Sequence, residues 1–111
     1  MALQKCKSFK DPKAYLEQYT IPADIAADVL YLAYLKGDIA GKVVYDLGCG
    51  TGRLAIGSVL LGAREVWGFD KDQDALLIAR MNSSNIGVDV KWREMDIANV
   101  KGKCDTVVQN P

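Results

Sequence analysis

Val43-Val44-Tyr45-Asp46-Leu47-Gly48-Cys49-Gly50-Thr51-Gly52 decides the fold: an apolar, β-prone run stops at three glycines on alternate positions. Leu54 to Leu61 follows, apolar almost throughout and closed by Gly62, as a helix packed against that strand would be. A strand, a glycine turn and a helix in that order predict a ligand site at the carboxyl end of the strand. Glycine lets the backbone turn sharply there and come close to a bound group.

Working outward, Glu65-Val66-Trp67-Gly68-Phe69 reads as a second strand ending at Asp70. Asp72 is a good N-cap for a helix carrying Ala75, Leu76, Ile78, Ala79 and Met81, which ends over Asn82 to Asn85. Val88 to Trp92 alternates like a third strand, and Asp105 to Val108 is a fourth. Strand, helix, strand, helix, strand, loop, strand argues for a parallel, right-handed α/β sheet. Upstream, Asp11-Pro12 suits the start of a short helix that ends near Tyr19. Pro22 opens a longer one with Ile25, Ala26, Val29, Leu30, Leu32 and Ala33 at helical spacing, ending by Gly37. The expected organisation is one domain, with residues 1–40 a helical lead-in and 41–111 the α/β part.

The 111 residues suit one core, and with 50% hydrophobic and 25% charged residues the chain has a globular balance. Lys+Arg and Asp+Glu both number 14, so no strong field announces or excludes nucleic acid. Lys5, Lys7, Lys10 and Lys13 against Asp11 alone read as a solvated terminus rather than a phosphate-binding arm. Cys6, Cys49 and Cys104 lie far apart without a CxxC pair, which points to a reducing, cytoplasmic setting. No apolar run approaches membrane-spanning length. Histidine is absent, which removes Ser-His and Cys-His nucleophilic pairs and His-containing zinc sites, and no metal is expected.

A dinucleotide fingerprint, GxGxxG, would put its third glycine where this chain has Arg53; Gly52 comes one residue too early, which disfavours NAD and FAD. Asp70, 22 positions after Gly48 (70 − 48), is placed to accept from both ribose hydroxyls of a nucleoside. Asp96 follows the third strand, where a carboxylate can accept from an exocyclic adenine amine while Ile97 covers the ring.

The pattern Asp46-Leu47-Gly48-x-Gly50-x-Gly52 resembles the first motif of the class I S-adenosylmethionine-dependent methyltransferases. The resemblance implies a Rossmann-like fold whose loop, Gly48, Cys49, Gly50, Thr51 and Gly52 with Arg53 beyond it, cradles the methionine part of S-adenosylmethionine. It implies that Asp46 lies near the cofactor's amino group and that Asp96 is the adenine-recognition position. Asn110-Pro111 resembles the start of the N-P-P-[F/Y/W] motif of enzymes that methylate planar amines. There the Asn side-chain oxygen and the Pro carbonyl hold the acceptor amine toward the methyl group. Leu16-Glu17-Gln18-Tyr19, with Gly68-Phe69-Asp70-Lys71-Asp72, is similar to the archaeal and eukaryotic family that modifies adenine N6 in small-subunit ribosomal RNA. That likeness implies a cofactor contact from Gln18 and ribosomal RNA as partner. The family places Thr two residues after Tyr, where this chain has Ile21.

Family members carry seven strands in the order 3-2-1-4-5-7-6, so about four parallel strands in the order 3-2-1-4 with flanking helices make the N-terminal half of that fold, ending inside the Asn-Pro motif. Two expectations follow: the 111 residues alone are catalytically silent, and the free edge of the last strand is covered by self-association or a partner chain. Two alternatives stand beside RNA methylation: glutamine-N5 methylation of a protein, and a non-catalytic cofactor-binding fragment or partner subunit.

Overall fold

The computed structural model describes residues 2–5 and 23–109. Its elements are β1 (Ala2–Lys5), α1 (Ala23–Leu35), β2 (Val43–Leu47), α2 (Arg53–Leu60), β3 (Glu65–Asp70), α3 (Gln73–Ile86), β4 (Lys91–Glu94), a 3-10 turn (Ile97–Asn99) and β5 (Thr106–Gln109). The sheet order is β1-β5-β2-β3-β4. From β5 to β4 every pairing is parallel, which reproduces the expected order 3-2-1-4 for the four strands read from the sequence. The expected short helix between Asp11 and Tyr19 lies outside the described residues.

One expectation is overturned. The outer edge of β5 is not open: β1 pairs with it antiparallel, Ala2 opposite Gln109 and Lys5 opposite Thr106. A buried apolar strand exposes a row of backbone donors and acceptors along its edge, and an extended segment of the same chain satisfies them without a second molecule. The lead-in is therefore not helical throughout.

Both crossovers, β2-α2-β3 and β3-α3-β4, step in the same direction, so right-handed connections put both helices on one face of the sheet. Period-two alternation supplies the core there: Val44, Val66, Trp92 and Val108 point to the helices. They meet Ala26, Leu30 and Ala33 of α1, Leu54, Ala55 and Ile56 of α2, and Leu76 and Ala79 of α3. A Cβ on Gly57 would lie 2.4 Å from Leu30 Cδ1, so a glycine in α2 is what lets α1 pack this closely. The opposite face carries Tyr45, Leu47, Phe69 and Val107, closed over by Ile97 and Val100 from the β4–β5 connection. Among the described residues no helix is long and apolar enough to cross a membrane, and no cluster of His, Cys, Asp and Glu could hold a metal ion.

Candidate functional site

The carboxyl ends of β2 and β3 meet at the glycine loop. Gly48, Gly50 and Gly52 all have positive φ, 72°, 55° and 91°. At Gly52 a Cβ would also come within 2.6 Å of the Trp92 ring and 3.2 Å of Ala79 Cβ, so the loop is seated on α3 and β4. At Gly50 a Cβ would meet nothing within 4 Å: the backbone there faces open space, as a ligand-approach position must. Trp92 forms the floor, lying across Gly68 and Gly52 and donating its indole N–H to Ser83 Oγ at 3.2 Å.

The loop is held by its own backbone and by Asp70. The N–H groups of Gly48 and Cys49 donate to the Phe69 carbonyl at 2.8 and 2.9 Å, and the Gly52 N–H donates to the Cys49 carbonyl. Asp70 Oδ2 accepts from the Gly50 N–H at 2.8 Å, while Oδ1 accepts from the Asp72 N–H at 2.9 Å. Asp70 is thus buried as a brace between two successive loops. The helix cap is Asp72, whose side chain accepts from the Asp74 and Ala75 N–H groups. Each Asp70 oxygen keeps a second lone pair, so the brace can still accept from hydroxyls above it.

Asp46 is different. It is 1% exposed, and neither carboxyl oxygen has a hydrogen-bond partner. Burial pushes its pKa up to about 8; the nearby Ala55 backbone N–H pulls the other way without completing a hydrogen bond, and the Asp70 charge adds to the rise. Burial, followed by the charges of Asp46 and Asp70, pushes the Cys49 thiol up as well, so it is a packing group and not a nucleophile.

These observations test the fit of a cofactor. A dinucleotide loop offers free backbone N–H groups to a pyrophosphate. Here the N–H groups of Gly48, Cys49, Gly50 and Gly52 are engaged internally, and two carboxyl groups lie beside them. A phosphate finds no free backbone donors in this arrangement, and an ammonium group, a cation that donates hydrogen bonds, matches the unpartnered Asp46 carboxyl. The residues fit S-adenosylmethionine and do not fit NAD.

The remaining expected residues are placed as follows. Thr51 is half-buried, its carbonyl accepting from Asn82 Nδ2 at 3.0 Å, and Arg53 is exposed at the start of α2. Asp96 is half-buried after β4 and caps the 3-10 turn by accepting from the Ala98 N–H at 2.9 Å. The Ile97 side chain is turned into the second core cluster, 2% exposed, rather than onto an open surface. Gln18, Asn110 and Pro111 lie outside the described residues. Two residues escaped sequence reasoning. Trp92 is the loop's floor, which its alternation with Val88 and Val90 would have allowed. Gln109 ends β5 opposite Leu47, 2% exposed with Oε1 unpartnered, at a cost of about 1–3 kcal/mol for a buried acceptor left unpaired. A polar residue closing an apolar strand was its only signal.

Comparison with known proteins agrees with this geometry. The family profile described as Ribosomal protein L11 methyltransferase (PrmA) matches residues 29–110. The rRNA N(6)-adenosine-methyltransferase METTL5 of Danio rerio is 40% identical over 115 residues, covering 98% of this chain and 56% of that protein. A Pyrococcus horikoshii crystal structure, described as a candidate RNA methyltransferase, superposes with a TM-score of 0.76 at 42% identity, over 89% of this chain and 50% of that one. A Salinibacter ruber RNA methyltransferase solved with S-adenosyl-L-homocysteine gives 0.65 at 29% identity, over 74% of this chain and 53% of that one. The chain spans about half the length of the curated relatives it matches.

Proposed function

The chain belongs to the ribosomal protein L11 methyltransferase (PrmA) family, within the class I S-adenosylmethionine-dependent methyltransferases, and from that premise we propose that its protein methylates adenine N6 in ribosomal RNA. Residues 41–111 are the cofactor-binding half and 1–40 the lead-in. The observation that carries the reading is the pair of buried carboxyls at the glycine loop, one braced and one bare. RNA is favoured over a protein acceptor because the relative matched over 98% of the chain is named for ribosomal RNA adenine. Cys49 is buried without a disulfide, which supports a reducing compartment, and the reading places the protein in the cytoplasm.

When bound, S-adenosylmethionine supplies an electrophilic methyl group on a sulfonium sulfur. The loop from Gly48 to Gly52, with Cys49, Thr51 and Arg53, shapes the seat of the methionine part, and Asp46 takes its ammonium. Asp70 accepts from ribose hydroxyls while bracing the loop, and Asp96 accepts from the adenine amine, with Ile97 supporting that loop from the core. Gln18 adds a contact from the lead-in. Asn110 and Pro111 hold the acceptor amine, its lone pair toward the methyl group, so that alignment and fixed dipoles rather than a titrating base supply most of the rate.

Parallel calorimetric titration with S-adenosylmethionine and NAD tests the cofactor, and binding of NAD alone would overturn it. Offering the natural full-length polypeptide labelled S-adenosylmethionine with adenine-containing RNA, ribosomal protein and a glutamine-bearing release-factor-like protein tests the acceptor. Label entering only a protein would replace RNA with a protein substrate.

A further inference from the structure

Read inward from β4, the sheet runs through the third, second, first and fourth strands of the α/β unit and then reaches β1. That strand pairs antiparallel with the outer edge of β5, from Ala2 opposite Gln109 to Lys5 opposite Thr106. In the family order 3-2-1-4-5-7-6 the place beyond the fourth strand belongs to a fifth. Ala2–Lys5 therefore stands where that fifth strand would pair. An edge has a single row of backbone donors and acceptors to give, so the two strands cannot share it.

The partners at this edge are unequally built. β5 is buried at every position, as a strand with neighbours on both sides is. β1 has four residues, Ala-Leu-Gln-Lys, of which Ala and Lys are depleted in strands. The helix beside this flank is unfinished in the same way. α1 packs on α2 through Leu30 against Gly57, and Thr106 at the start of β5 donates its hydroxyl to the Asp38 carbonyl just beyond α1, at 2.6 Å. Besides its buried row, α1 carries Ile25, Tyr31, Leu32, Tyr34 and Leu35 exposed. A helix that is apolar on more than one side is made for a further neighbour. The strand order names that neighbour as the second half of the same fold, and the chain spans about half the length of its curated relatives.

We propose that the outer edge of β5 is the docking edge for the second half of the methyltransferase fold, and that Ala2–Lys5 is a stand-in strand, covering this edge until the fifth strand displaces it. Until then the stand-in keeps an apolar strand from pairing with another copy of the chain. A first half made ahead of the second during synthesis is exposed to that hazard. The inference rests on the class I fold alone, whichever acceptor the enzyme methylates.

The experiment compares the 111-residue chain with the natural full-length polypeptide, each with and without Ala2–Lys5. Amide exchange at residues 2–5, molar mass by light scattering and the urea midpoint are read for each. In the 111-residue chain the Ala2–Lys5 amides that bond to β5 should exchange about tenfold or more slowly than the same amides in the full-length polypeptide. Removing Ala2–Lys5 should lower the midpoint of the 111-residue chain and raise its mass above the monomer, up to outright aggregation. The same deletion should change neither quantity in the full-length polypeptide. Equal protection of those amides at both lengths overturns the proposal. So does a full-length polypeptide whose midpoint falls without them, because β1 would then be a permanent strand. A 111-residue chain that stays monomeric at an unchanged midpoint after the deletion overturns the stand-in role. None of these readouts involves methyl transfer, so label entering a protein instead of RNA would change the acceptor and leave this inference in place.

Discussion

At the start of β3, Glu65 is partly exposed, and its Oε1 accepts from Lys91 Nζ and from the Trp67 indole N–H, both at 2.7 Å. At the end of the same strand Asp70 is 3% exposed and commits both oxygens to backbone N–H groups. One strand over, Asp46 is 1% exposed and commits neither. The amino end of the sheet treats an acid as surface chemistry: solvated, paired with a cation, its pKa lowered chiefly by the hydrogen bond from Lys91. The carboxyl end takes two acids out of water, which is unfavourable unless something else recovers the loss. Asp70 recovers it by ordering the glycine loop. Asp46 completes no hydrogen bond within the chain and gains only a partial offset from the Ala55 N–H, and that asymmetry points to the carboxyl end as the ligand-binding end.

The strongest test removes the floor on which the carboxyl end stands. Trp92→Ala should cost about 3–5 kcal/mol of folding stability, measured by urea denaturation, since it empties a buried site beneath Gly52 and Gly68 and frees Ser83 Oγ. A loss below about 1 kcal/mol would mean that the loop stands without Trp92.

The next effect comes from Asp46 and has a definite sign. An ordinary Asp titrates near 3.8, whereas Asp46 in the folded chain titrates near 8. Between those values the folded state holds a proton that the unfolded state has released. Stability therefore falls as pH rises, by up to about 1.4 kcal/mol per pH unit. Asp46→Asn should flatten that slope between pH 5 and 7.5 and be the more stable protein at pH 7, while binding S-adenosylmethionine more weakly. Denaturation midpoints across that range decide it, and an unchanged slope would mean that Asp46 is already ionised and satisfied.

Asp70→Ala should have a smaller effect of the opposite kind. It removes a brace rather than an unsatisfied group, so it should weaken S-adenosylmethionine binding by roughly 1.5–3 kcal/mol. Amide exchange at Gly50 should accelerate, since that N–H loses its acceptor. Unchanged affinity would leave Asp70 a structural residue only.

Much of this region was legible in the sequence, for reasons that differ residue by residue. Val43–Leu47 was readable to its boundaries because an apolar run stops at a glycine, and Asp72 because N-caps are chemically restricted. The third strand was read as Val88 to Trp92, while the ladder spans Lys91–Glu94. Val90 and Trp92 are both buried, so burial alternates through the approach before pairing with β3 begins, and composition reports burial rather than pairing. Ala2–Lys5 carried no strand signal of its own; pairing with the outer edge of β5 makes it a strand. Asp70 was found by its distance from Gly48, yet its partners were not, because a carboxylate reaching back 20 residues to a backbone N–H has no linear signature. Gln109 shows the limit most plainly, since an unpaired oxygen is defined by what surrounds it in space.

The smallest expected effect is at the amino end. Lys91→Ala removes one donor from Glu65 and one of two cations near the Trp67 ring, leaving Arg93, whose Cζ lies 4.9 Å from the ring centroid. Both partners are solvated, with side-chain exposures of 45% and 33%, so their attraction is screened by salt. Any stability lost in Lys91→Ala should be slight at low ionic strength and absent near 1 M NaCl, where the screening length falls to about 3 Å. What remains of the Glu65 contribution should be present above the usual carboxylate range and fade as pH drops through its lowered pKa. The pH slope set by Asp46 should behave otherwise: it should persist at high salt, because ions do not reach a side chain that is 1% exposed. Measuring both proteins at low and high salt therefore separates the two ends of the sheet in one experiment. If salt abolished the Asp46 slope, that carboxyl would be in contact with water, and the contrast between a solvated end and a ligand-binding end would fail.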